Sequence, residues 1–377
     1  MSHKIPHSTR ALIVQKSQLT GSTKPSALAG LPYDAVLEER PIPALGKGQV
    51  LVKVAAAAFN HRDLWIRKGQ YPGIAIGSTY GADGAGTVVA ADSDDPLLNK
   101  RVFLTPMRGW KENPDGPESR DFVILGGGSR VPIGTFTQYV VVERDEVIPT
   151  PDHLDDIHAA AWPLGGLTAW RAVVVNAQVK KGDNVLITGI GGGVALLAMQ
   201  ICIGIGAHVY VTSGQKNKID KAVSLGAKAG VNYKDKNWPA ELAGILAQAN
   251  RQGGTPTELS AVIDSGGGDI TGQTNKLLKA GGRIVVYGMT AQPKINFTMR
   301  EVLKNLKLLG STMGSRKDLV DATDFLAKHR IVPAVSNILD GLEEAEAGFE
   351  LIQRGDQFGK VVICIRHGSE NEIRPKL

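Results

Sequence analysis

Hydrophobic and polar positions in the second half of the chain follow one repeated alternation. Short apolar runs edged by turn residues alternate with longer segments of helical character. Residues 185–188 form such a run and read as a buried parallel strand. Gly189, Gly191, Gly192 and Gly193 follow at once, and 194–205 is apolar nearly all round, as expected of a helix packed on a sheet. Gly206 reads as that helix's C-terminal cap, and 208–212 begins the next strand. The pattern continues with helices at 219–225, 240–249 and 271–279 and strands at 230–233, 261–264 and 283–287, after which 303–310 leads into a Ser311-Thr-Met-Gly-Ser turn. Such alternation predicts a doubly wound parallel sheet of the α/β class.

The first half reads differently. Residues 11–14, 35–40, 49–58, 86–91, 101–105 and 134–142 look like strands of an antiparallel sheet. A polar stretch holding Gly21, Ser22 and Pro25 reads as flexible, 55–86 as loop-rich, and the Gly/Pro-rich segment 106–134 as an irregular surface loop. Helices at 155–162 and 168–175, joined through 163–166, lead into the alternating half. The last segment carries helices at 320–328 and 342–353 and a closing strand at 360–365.

The glycine turn after the strand at 185–188 has a chemical use. A phosphate can rest on the amide N–H groups of a helix N-terminus only where side chains leave room. The strict G-x-G-x-x-G spacing is absent: counted from Gly189 its third slot holds Val194, and from Gly191 it holds Leu196. Strand, glycine turn, helix and strand together are nevertheless the first unit of a dinucleotide-binding fold. The end of the second strand chooses the cofactor. An acid there would hold a ribose 2′-hydroxyl, but no acid occurs before Asp220, whereas Ser213, Lys216 and Lys218 offer a hydroxyl and positive charge. That chemistry suits a 2′-phosphate, so NADPH is expected over NADH. The other reading, lysines that merely solvate a helix start, stays open.

Length and composition narrow the class. A chain of 377 residues has room for two cores, and the net charge of +6 is spread without a basic block, so no nucleic-acid partner is expected. Cys202 and Cys364 each sit in an apolar run and read as buried, reduced thiols of a cytoplasmic protein. No apolar stretch is long enough for a membrane span. The basic N-terminus lacks a secretory apolar core, and the final residues 375–377 differ by one from a peroxisomal address.

Several motifs in order carry a family resemblance: Asn60-x-x-Asp63, the glycine-rich run 81–86, the run 134–139, Pro163 to Trp170, the glycine turn, Leu225–Ala227 and Phe358–Val361. With them the chain resembles the medium-chain dehydrogenase/reductases, in their zinc-free quinone-oxidoreductase-like branch, from about Ala11 to Arg366. The resemblance implies a GroES-like, barrel-like catalytic domain at 1–165, a Rossmann-type NADP-binding domain at 166–316 and a closing catalytic segment at 317–377. It implies that Gly191, Gly192, Gly193 and Val194 cradle a pyrophosphate, and that Ser213, Lys218 and Tyr233 meet the 2′-phosphate. Thr168, Gly288, Met289, Met313 and Gly314 would line the nicotinamide, and Lys360 would close over the cofactor. Asn60 and Tyr71 are the residues assigned to the catalytic side, with a packing role for Tyr71 as the other reading. Zinc-dependent relatives would carry Cys, His and Cys where this chain has Asn60, Ala82 and Leu164, and such a set cannot be replaced by Asn, Ala and Leu. No metal is therefore expected.

Without a Lewis acid a saturated ketone is hard to polarise, whereas an activated double bond only needs donors for the oxygen that collects charge. The resemblance thus implies NADPH-dependent reduction of a quinone or an α,β-unsaturated carbonyl, a small electrophilic substrate, by a homodimer paired through the strand at 283–287. A zinc alcohol dehydrogenase with atypical ligands and a non-catalytic or RNA-associated NADPH-binding protein remain the alternatives.

Overall fold

The computed structural model describes residues 5–17, 28–254 and 256–368. Expectations for Gly21, Ser22, Pro25, residues 1–4 and residues 375–377 lie outside them. The chain divides into two compact units.

In the unit formed by 110–118 and 164–334, the apolar runs become a six-stranded parallel sheet. Its order is Ala229–Asn232, His208–Ser213, Asn184–Ile187, Leu259–Asp264, Leu278–Val286, Lys307–Gly310. Chain direction across the sheet reverses between Asn184–Ile187 and Leu259–Asp264. The C-terminal ends of those two strands therefore form the switch point at which such sheets bind ligands. Strands 184–187 and 259–264 are largely buried on both faces, which explains the apolar runs 185–187 and 261–263 within them. The helix Gly193–Ile205 ends on Gly206, whose φ of +88° is the left-handed cap that glycine accepts most easily.

The other unit, described within 1–109, 119–163 and 335–377, centres on the strand Gln49–Ala58. It pairs with Asp83–Ala90, Tyr139–Glu143 and Lys360–Cys364, all antiparallel. Val335–Asp340 runs parallel beside Lys360–Cys364, and Arg101–Leu104 and Val147–Pro149 extend the far side. The core is aromatic at its centre: Phe59 lies edge-on to Phe136 and Phe349 with centroids 4.7 and 5.0 Å apart. The Arg67 guanidinium caps Phe349 from 4.8 Å.

Several expectations need correction. The loop-rich region 55–86 contains a helix, His61–Arg67. Seven residues are too few for periodicity to show; a local cap starts the helix, because the Asp63 carboxylate accepts the Asn60 N–H at 2.8 Å. Pro163 to Trp170 is helical throughout, and the chain continues as a π-turn over Arg171–Asn176; proline suits a first helical turn, where its missing N–H would have no partner. The helix expected over 271–279 stops at Thr274, and Leu278 already pairs with Leu259 in the sheet.

The domain edges also shift. The expected edge at 165/166 falls at 163/164, whereas the helix Arg316–His329 belongs to the nucleotide-type unit rather than to the closing segment. The segment 110–118 joins it there, because the Arg171 guanidinium covers the Trp110 ring at 4.4 Å and donates to the Pro114 carbonyl at 2.7 Å. Finally, the strand containing 283–286 is interior; Lys307–Gly310 is the sheet edge on that side. Among the described residues no helix is long and apolar enough to cross a membrane.

Phe349 is fully buried among these rings. Phe349→Ala is expected to lower unfolding free energy by about 3–5 kcal/mol, read by chemical denaturation.

Candidate functional site

Each unit holds one candidate site. In the nucleotide-type unit the turn 189–193 is shaped by backbone conformations that few side chains tolerate. Gly189 has φ +65° and Gly191 φ +123°. A Cβ on Gly191 would stand 2.8 Å from Lys218 Cδ and 3.4 Å from its Nζ. The bare glycine thus lets the nearly buried Lys218 stem (8 % exposed) reach the turn. Gly192 is the extended residue ahead of the helix Gly193–Ile205, whose first turn leaves backbone N–H groups without helical partners.

Past the second strand, Ser213 is buried and its Oγ accepts the Gln215 N–H at 3.2 Å, while its carbonyl accepts the Tyr233 N–H at 3.2 Å. Tyr233 Oη and Lys234 Cε both lie 2.8 Å from where a Cβ on Gly214 would be. The structure therefore brings Lys218 to Gly191, and Tyr233 with Lys234 to the Ser213–Gly214 corner. Lys234 escaped the sequence reading, although it directly follows Tyr233.

Thr168 donates its hydroxyl to the Leu164 carbonyl at 2.8 Å and lies 3.9 Å from Met313 Sδ. Met313 has φ +48°, an uncommon conformation for a side chain of its size. A Cβ on Gly314 would reach within 2.6 Å of Leu167 Cδ1. Gly288 packs against the Ser265 backbone, and Met289 stands partly exposed beside Gly267. At the switch point, Thr188 Oγ1 donates to Asp264 Oδ1 at 2.6 Å and the Gly267 N–H donates to Oδ2 at 2.8 Å. Burial holds the Asp264 carboxyl above its ordinary range. Neither Thr188 nor Asp264 carried a sequence signal, since both sit at the tails of apolar runs.

The barrel-like unit contains a buried polar cluster. Lys360 Nζ donates to Asn60 Oδ1 at 2.7 Å and to Asp83 Oδ2 at 2.8 Å, and Asn60 Nδ2 donates to the same Asp83 oxygen at 2.9 Å. Asp63 lies one helical turn from Asn60. Burial raises its carboxyl to about 6, opposed by the Arg62 charge, the Asn60 N–H and Lys360, and assisted by Asp83. Arg62 donates to the Leu125 and Gly126 carbonyls at 2.7 and 2.8 Å. Its guanidinium sits 4.6 Å over the ring of Tyr71, which packs half-buried against the core. Asn60 and Lys360, both named from the sequence, thus meet, joined by Asp83; Tyr71 stands behind Arg62 as a packing aromatic.

Comparison with known proteins agrees with this layout. Residues 46–152 match the family described as the alcohol dehydrogenase GroES-like domain, and 193–328 match the zinc-binding dehydrogenase family. The zinc-type alcohol dehydrogenase-like protein YogA of Leptosphaeria maculans is 40% identical over 86% of this chain and 92% of its own length. This chain belongs to the medium-chain dehydrogenase/reductase superfamily.

Among solved members of the superfamily, an NAD-dependent alcohol dehydrogenase is 29% identical, with a TM-score of 0.77 over 95% of this chain and all of that one. The crotonyl-CoA carboxylase/reductase AntE, solved in complex with NADP, shares the fold at 21% identity, with a TM-score of 0.80 over 96% of each chain. The residues at the zinc-ligand positions of such relatives do not suit a zinc ion here. Asn60 has its carboxamide committed to Lys360 and Asp83, the Ala82 and Leu164 side chains have no ligating atom, and a lysine ammonium already lies against the Asp83 carboxylate. Among the described residues no group of three or more His, Cys, Asp or Glu is placed to hold a metal.

Breaking a buried ion pair from one side strands the other charge. Lys360→Met is expected to cost about 3–5 kcal/mol of stability, and Lys360→Met combined with Asp83→Leu distinctly less, measured by urea denaturation. Asp63 gives a pH signature of its own. Between its ordinary 3.8 and about 6 the folded chain holds a proton that the unfolded chain has released. Its contribution to stability therefore falls as pH rises through that window. Relative to Asp63→Asn, the natural chain is expected to lose stability between pH 4 and pH 6 and to hold a constant difference above that, read from denaturation midpoints.

Proposed function

We propose that this chain is an NADPH-dependent, metal-independent reductase acting on a quinone or an α,β-unsaturated carbonyl compound. The observation that carries the cofactor reading is the approach of Lys218 to Gly191, together with a second strand that ends on Ser213 rather than on an acid. Amides of the glycine turn, from Gly191 to Val194, take the pyrophosphate at a helix start free of obstruction. Lys218, Ser213 and Tyr233 take the 2′-phosphate, and Lys234 adds a second cation at the same corner. Thr168, Gly288, Met289, Met313 and Gly314 border the nicotinamide. NADPH held there would supply the hydride for the reduction.

The chain's own residues then have two tasks: to hold the substrate oxygen as it gains charge, and to keep the surroundings free of a competing cation. Asn60 is the donor suited to the first, while Tyr71 packs behind Arg62. The internal Lys360–Asp83 pair serves the second, since it leaves no ligand set for a Lewis acid. An activated alkene or quinone needs no more than hydrogen-bond donors at its oxygen, whereas a saturated ketone would ask for stronger polarisation. Water can deliver the final proton. Two buried or half-buried free thiols suit a reducing, cytoplasmic setting. The open strand Lys307–Gly310, entered from a helix with Met299 and Leu303 exposed, is the surface on which two copies would pair.

The test is oxidation of NADPH and NADH against quinones, enones, enals and a saturated ketone, with and without chelator. Chelator-insensitive turnover on a quinone or enone, at least tenfold better with NADPH, is the expected outcome. Lys218→Ala is expected to raise the NADPH Kd about 10- to 150-fold and to leave the NADH Kd within twofold, since a charged contact to phosphate is worth roughly 1.5–3 kcal/mol. Turnover confined to the saturated ketone and abolished by chelator would overturn the proposal, and tight NADPH binding without turnover would favour a non-catalytic role.

A further inference from the structure

The Asn60 carboxamide is held at both ends by partners that define its orientation. An ammonium has only donors and a carboxylate only acceptors. Turning the amide over would set its NH₂ against the Lys360 ammonium and its oxygen against Asp83. The observed arrangement, Oδ1 to Lys360 at 2.7 Å and Nδ2 to Asp83 at 2.9 Å, is therefore the one the charges enforce. That leaves one Nδ2 hydrogen of Asn60 without an acceptor among the described residues.

All three groups are buried. Asp83 is fully buried and Lys360 is 4 % exposed, whereas Asn60 keeps 8 %. The ammonium bond to Oδ1 also draws density from the amide nitrogen, which strengthens the remaining N–H as a donor.

We propose that Lys360 and Asp83 are positioning residues: they lock and polarise Asn60 so that its free N–H meets the substrate oxygen on which negative charge collects. This rests on the reductase reading above and changes the role of Lys360. Its ammonium, bonded twice inside its own unit, acts through Asn60 instead of closing over the cofactor. Asp83 fixes the amide from the other end and balances the lysine charge, so the donor is presented without a net buried cation.

The test uses the full chain carrying Asn60→Ala, Lys360→Met, Lys360→Arg, Asp83→Asn and the double variant Asn60→Ala with Lys360→Met. NADPH Kd is read by fluorescence, and kcat and KM are read with cyclohexenone and benzoquinone as probes. Asn60→Ala is expected to lower kcat about 100-fold, the size of a lost oxyanion donor. Lys360→Met should lower kcat at least tenfold with NADPH Kd within twofold, and Lys360→Arg should restore most of the rate. The double variant should be no slower than Asn60→Ala alone, because Lys360 has nothing left to position. If Lys360→Met fails to fold, Asp83→Asn carries the same comparison. Multiplying losses in the double variant, or a tenfold weaker NADPH Kd with kcat intact, would overturn the inference. Absence of turnover by the natural chain on either probe, with NADPH bound, would instead bring down the reductase reading and this inference with it.

Discussion

A single buried ion pair, Lys360 with Asp83, ties together parts of the chain that are far apart in sequence. Lys360 is 277 residues from Asp83 and 300 from Asn60, and the whole of the parallel-sheet unit is inserted between them. Removing two charges from water is costly, and mutual attraction repays it only when the remaining hydrogen-bonding capacity is satisfied. Asn60 supplies that satisfaction by accepting from the ammonium and donating to the carboxylate. The barrel-like unit is built so that these three groups coincide. Asp83 opens one strand, Lys360 opens its neighbour but one, and Asn60 starts the short helix that follows the strand between them.

The parallel-sheet unit rests on a different constraint. Its central strands are covered on both faces, so all their polar backbone must be satisfied within the sheet. What remains for chemistry gathers at the C-terminal ends of those strands. There the Thr188–Asp264 bond, the glycine turn and the Ser213–Gly214 corner lie at the termini of three neighbouring strands. Gly191 and Gly214 act by absence: each leaves space into which a lysine stem extends. The segment 110–118 joins this unit because Arg171 offers Trp110 a cation face and takes the Pro114 carbonyl.

Much of this was legible in the amino-acid order. Repeating apolar runs and glycine turns specify a parallel sheet because a strand buried on both faces has no polar positions to spare, and the run from 185 to 212 marks its first strand, helix and second strand. The missing acid after His208–Ser213 and the missing ligand types at 60, 82 and 164 are facts of residue chemistry that no folding can alter. Tertiary structure decided the rest. The Asn60-x-x-Asp63 spacing is a motif in the sequence, and the fold makes it a helix cap whose Asn side chain is turned to Lys360, because Asp63 takes the Asn60 N–H. Which strand lies at the sheet edge, where the helix after Ile270 stops, and where Lys360 points all depend on contacts between residues remote in sequence. Local pattern constrains backbone conformation over a few residues, whereas the pairing of one buried charge with another is settled only when the chain has closed around both.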